Sequence, residues 1–66
     1  MKLLFAILED DKILLKYYKS EIEKILGKNN IPGEVVCASD DPEQFMSVVK
    51  TCMANVCIID INLKKG

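Results

Sequence analysis

Four acidic side chains, in two places, are the residues of this chain best suited to chemistry. Glu9, Asp10 and Asp11 follow the apolar run Leu3 to Leu8, and Asp60 stands near the end of a second run, Val56-Cys57-Ile58-Ile59-Asp60-Ile61. An isolated carboxylate in an apolar strand is costly, so it is neutralised, paired, or placed where the strand emerges into a polar cleft. The last option suits Asp60; the plainer alternative is that the strand ends there and the acid meets water or caps a turn. Carboxylates brought close together repel, and respond by taking up a proton or recruiting a cation. Magnesium is the natural guest, because it prefers hard oxygen ligands and is commonly held by one or two carboxylates together with phosphate oxygens. An acidic helix cap accounts for one of Glu9, Asp10 and Asp11, but not for three beside a fourth.

Other chemistries find little support. The chain has three cysteines and no histidine. Cys37, Cys52 and Cys57 form neither a CxxC pair nor a zinc-ligand spacing. They suggest a reducing cytosol, with Cys37 and Cys57 serving as small buried apolar residues in strands. Nine basic and ten acidic residues are mixed along the sequence for a net charge of −1, so no basic face for nucleic acid stands out. The apolar start is interrupted by acids at Glu9 before it reaches the length of a membrane span or signal sequence, and is expected to be a core strand of a cytoplasmic protein with no membrane partner.

The elements that must position these acids follow from periodicity. Leu3 to Leu8 is a continuous apolar run of strand length, as expected of a parallel strand covered on both faces. From Lys12 to Lys28 the period changes: Leu14, Leu15, Tyr18, Ile22, Ile25 and Leu26 form an apolar face, with Lys16, Lys19, Glu23 and Lys24 opposite. Asp10 or Asp11 caps this helix, and Gly27 with Asn29 and Asn30 stops it. Ile31-Pro32-Gly33 turns into a β-branched strand, Glu34 to Ala38. Asp41-Pro42-Glu43-Gln44 reads as a cap, a first-turn proline and a capping-box glutamine, opening a helix to about Cys52 with Phe45, Val48, Val49 and Cys52 inward. Asn55 to Ile61 is a third strand. The order β-α-β-α-β, with right-handed crossovers, predicts an α/β fold: if the chain returns past its first strand after the second helix, a three-stranded parallel sheet in order 2-1-3 with one helix on each face. Ligands in such sheets bind beyond the carboxyl ends of the strands where the winding reverses, which places the acids at the switch point between strands 1 and 3.

Phe5-Ala6-Ile7-Leu8-Glu9-Asp10-Asp11, with Cys57-Ile58-Ile59-Asp60-Ile61-Asn62 about fifty residues later, resembles the receiver domain of two-component response regulators, a flavodoxin-like fold. Ala38-Ser39-Asp40-Asp41-Pro42 and Asp60-Ile61-Asn62-Leu63 are similar in particular to receivers of the accessory-gene-regulator group, whose members carry a LytTR DNA-binding domain further on. The resemblance implies that Asp60 is the phosphoacceptor, phosphorylated by a sensor histidine kinase, and that magnesium is held by Glu9, Asp10, Asp60 and the backbone carbonyl of Asn62. It makes Asp11 a helix cap rather than a ligand. It also implies a non-enzymatic role in phosphorelay signalling and transcriptional regulation, with DNA contacted only through an output domain outside these residues. The family's Met-Pro pair after the phosphoacceptor is replaced here by Leu63-Lys64, and its Ser or Thr after strand 4 and Lys after strand 5 lie beyond Gly66. The chain is thus expected to be the N-terminal part of a receiver, and by itself a poor switch. Two alternatives stand beside this: a self-associating α/β module pairing through the apolar edge of strand 3, and a magnesium-dependent phosphotransfer enzyme. The latter class usually carries its nucleophile after strand 1 in a DxD pattern, where this chain has Glu9-Asp10-Asp11.

Overall fold

A computed structural model describes residues 2–51 and 53–60. They form β1 (Leu3–Glu9), α1 (Lys12–Lys28), β2 (Gly33–Ser39), α2 (Pro42–Lys50) and β3 (Val56–Asp60). The strands make one parallel sheet in the order β2-β1-β3, as the sequence pattern predicts. Cys52 and residues 61–66 lie outside the described residues, so the expected inward Cys52 and the site contribution of Asn62 are not placed.

Alternation along β1 assigns its two faces. Ala6 and Leu8 point to one side, where they pack with Cys37 and Phe45, backed by Val48, Val49 and Ala54. This is the α2 side, and Phe45 is its anchor at 2% exposure. Phe45→Ala would cost about 3–5 kcal/mol, comparable to the whole stability of about 3–5 kcal/mol that a core this small supplies. Leu3, Phe5, Ile7 and Glu9 face the other way. Leu26 of α1 approaches Leu3 there, since both lie within 3.2 Å of where a side chain at Gly33 would begin. Both helices lie chiefly over β1 and β2. β3 is consequently less covered, and its Cys57 and Ile59, register partners of Ala6 and Leu8 on the α2 face, are exposed. Cys57 was expected to be buried as an apolar strand residue; with the described helices lying chiefly over β1 and β2, it is exposed.

Local sequence explains the element ends. Asp11 caps α1, its Oδ1 accepting from the amides of Ile13 and Leu14 at 2.9 and 3.3 Å, which satisfies two donors that a helix start leaves free. At the other end Asn30 takes the left-handed conformation, φ 54°. The Asn30 amide donates to Gly27 O and the Ile31 amide to Leu26 O, the paired bonds of a Schellman stop. Ile25, expected on the buried face, is 53% exposed. The strip of α1 that meets the sheet runs through Leu14, Leu15, Tyr18, Ile22 and Leu26, and Ile25 falls off its side.

The start of α2 differs in detail from the expected capping box. Asp41 is the cap, accepting from the Glu43 amide at 3.0 Å, with Pro42 in the first turn. Gln44 does not reach back to the Asp41 amide; it accepts the Ser39 hydroxyl at 2.7 Å, and Ser39 Oγ accepts the Asp41 amide at 2.9 Å. Ser39, buried at the end of β2, thus takes the place of the glutamine.

Asn55 fastens β3 to β1. Its backbone amide donates to Leu4 O at 2.9 Å, its Oδ1 accepts from the Leu4 amide at 2.9 Å, and its Nδ2 donates to Lys2 O at 3.0 Å. This clamp matters because β3 has little helix packing to fix its register. In the resulting alignment Phe5 meets Val56, Ile7 meets Ile58, and Glu9 meets Asp60. A slip of one residue would turn Asp60 to the opposite face.

Candidate acidic site at the strand ends

The register sets the candidate site. Glu9 and Asp60 end the neighbouring strands β1 and β3 as direct partners, so both side chains lie on the α1 face. Adjacent strands run about 4.8 Å apart, which brings the two carboxyl groups into each other's electrostatic reach. This is the carboxyl end of the sheet, between the strands where the order reverses, the position at which open α/β sheets take up ligands.

Glu9 is fully buried. Its Oε1 accepts the Asp11 amide at 3.0 Å, but its Oε2 has no hydrogen-bond partner. Buried carboxylate oxygens are normally satisfied, so an orphaned one at a strand end signals a site shaped for something else. The Asp11 amide acts to lower the Glu9 pKa. Loss of solvent, the Asp10 carboxyl and the charge of Asp60 outweigh it, and Glu9 stands above its ordinary 4.5.

Asp60 is half-buried and is held from α1: the Tyr18 hydroxyl donates to its Oδ2 at 2.7 Å. That bond, together with desolvation and the charges of Asp60, Glu9 and Asp11, pushes the Tyr18 phenol up to about 12. Tyr18 therefore stays a proton donor throughout the physiological range. The sequence pattern placed Tyr18 on the inward face of α1 without giving it a role. The signal was present in the residue type, since a tyrosine on a buried face needs a partner for its hydroxyl.

The predicted site residues divide as follows. Glu9 and Asp60 are brought together. Asp10 adjoins them at the exposed end of the cluster. Asp11 serves as the helix cap. Among the described residues no three His, Cys, Asp or Glu side chains are grouped as an ion cage, and Asn62 is outside those residues. Two open depressions, of about 370 and 530 Å3, lie elsewhere: one against Lys12, Lys16, Ser39 and Gln44, the other along α2. Neither is lined by Glu9, Asp10 or Asp60. Among the described residues no helix is long and apolar enough to cross a membrane.

No family model matches the chain, and searches of curated proteins and of solved structures find no significant match.

Proposed function

We propose that this chain is the phosphoacceptor part of a receiver domain of the flavodoxin-like kind, acting in the cytoplasm in two-component signalling that ends in transcriptional control. The observation that carries the reading is the Glu9–Asp60 pairing: a buried carboxylate with an unsatisfied oxygen, beside a strand-end aspartate at the reversal of the sheet. Two acids in such contact favour a divalent cation, and the hard oxygen donors of Glu9, Asp10 and Asp60, with the Asn62 carbonyl proposed as a fourth, suit magnesium. When bound, magnesium would offset the repulsion between an anionic nucleophile and an anionic phosphoryl group.

The chain's own residues supply the rest. An Asp60 oxygen attacks the phosphorus of a phosphohistidine on a sensor kinase; the new O–P bond forms as the N–P bond breaks, and the imidazole leaves with the electron pair and takes a proton from solvent. Glu9, fixed by the Asp11 amide, faces the reacting carboxylate. Asp11 holds the start of α1, and Asn55 keeps β3 in register. Incubation with a small phosphodonor and magnesium, read by intact mass, should add one phosphoryl group to the chain and none to Asp60→Asn. Equal labelling of that variant would reject the assignment.

A second reading, self-association through β3, is favoured by its exposed apolar residues. Ile59 is 61% exposed, and Cys57 is open beside it. Ile59→Lys should then lower the apparent mass in light scattering; a monomer at high concentration before the change would dismiss this reading.

A further inference from the structure

The Tyr18 hydroxyl has a consequence for the same site. It occupies Asp60 Oδ2 at 2.7 Å, on the face where Glu9 presents its unpartnered, fully buried Oε2. A cation held by both Glu9 and Asp60 would draw on lone pairs of both carboxylates. The Glu9 oxygen is free, whereas one Asp60 oxygen already holds a proton donor of similar reach. Tyr18 is half-buried on α1, and its ring is flanked edge-on by Tyr17 at 6.1 Å between centroids.

 Tyr18 and Asp60 lie 42 residues apart in the sequence. The contact is made across the fold, from helix to strand end, so it depends on the tertiary structure and can be exchanged without unfolding α1.

Resting on the proposed magnesium site, we propose that Tyr18 is a positioning residue whose hydroxyl competes with the divalent cation for the Asp60 carboxylate. With the hydroxyl engaged, Asp60 is held but only partly available. Binding of the cation displaces the hydroxyl, and loss of the cation lets it return. Tyr18 thereby sets the concentration of magnesium at which Asp60 becomes available as a nucleophile.

Removing only the hydroxyl tests this. Hydrogen bonds to charged groups are among the stronger ones in proteins, and at a half-exposed site Tyr18→Phe should tighten magnesium binding by about tenfold, measured by calorimetry on the whole chain. A second arm leaves Tyr18 intact. In Tyr17→Phe, Tyr18 is the sole tyrosine, and its near-ultraviolet spectrum should shift during a magnesium titration with the midpoint seen by calorimetry. Affinities within twofold for the wild-type chain and Tyr18→Phe, or an unchanged Tyr18 spectrum at saturation, would overturn the competition while leaving the metal site standing. Absence of magnesium binding by both chains would remove the metal site and this inference with it.

Discussion

Asn55→Ala is the perturbation whose size can be worked most directly from the structure. Asn55 makes two side-chain bonds that alanine cannot, to the Leu4 amide at 2.9 Å and to Lys2 O at 3.0 Å, while its backbone bond to Leu4 O survives. A net hydrogen bond contributes about 0.5–1.5 kcal/mol. Asn55 is exposed, so water can replace part of each bond, and the low half of the range applies. The expected loss is about 1–2 kcal/mol. For a domain of this size each kcal/mol moves the midpoint by roughly 4–8 °C, so thermal unfolding followed by circular dichroism should show a fall of about 5–15 °C. Because the same clamp holds Asp60 opposite Glu9, phosphodonor labelling should fall as well, measured at a temperature where the variant is still folded. A midpoint within 1–2 degrees (roughly the resolution of such a scan) would refute the view that Asn55 fixes the register of β3.

Three further outcomes follow from the packing and the site. Gly33→Ala places a Cβ 2.8 Å from Leu3 O and 3.2 Å from Leu26 Cδ1; the nearest atom is backbone, so β1 and β2 must part and urea unfolding should show a loss of about 1–3 kcal/mol. Glu9→Gln removes a buried charge and gives the unpaired position an amide donor, so in chelator the thermal midpoint should rise, while magnesium affinity should drop at least about tenfold; a fall in both would contradict the acidic-site reading. In a Cys52→Ser background, Cys57 should alkylate before buried Cys37. Burial holds the Cys37 thiol above its ordinary 9.0, so its contribution to stability is complete below that value and is lost as pH rises through the raised one; Cys37→Ala should flatten that alkaline decline.

The element order was legible because each apolar run has the length and period of one kind of structure. Leu3 to Leu8 is too short and too continuous to be an amphipathic helix, and the three- and four-residue spacing through α1 is not that of a strand. The 2-1-3 order requires the chain to return past β1 after α2, and with right-handed crossovers that return puts one helix on each face and Glu9 beside Asp60. What the sequence concealed was set by tertiary coverage. Ile25 and Cys57 are apolar, yet their burial depends on whether a neighbouring element reaches them, and among the described residues none does. Asn55 looked like an ordinary strand-start residue, since its bonds go to Lys2 and Leu4, more than fifty residues away. Ser39 displaced Gln44 from the Asp41 amide for a similar reason: the strand end delivers a hydroxyl closer than the helix side chain can fold back. The Tyr18–Asp60 bond likewise joins residues that only the packing of α1 on the sheet brings together.

The central claim is that Asp60 is the phosphoacceptor, and locating the label tests it most directly. After reaction with a small phosphodonor and magnesium, borohydride reduction of the acyl phosphate and peptide mass mapping should find the reduced side chain at Asp60. A label at any other residue, or none in a folded, magnesium-bound chain, would contradict the account.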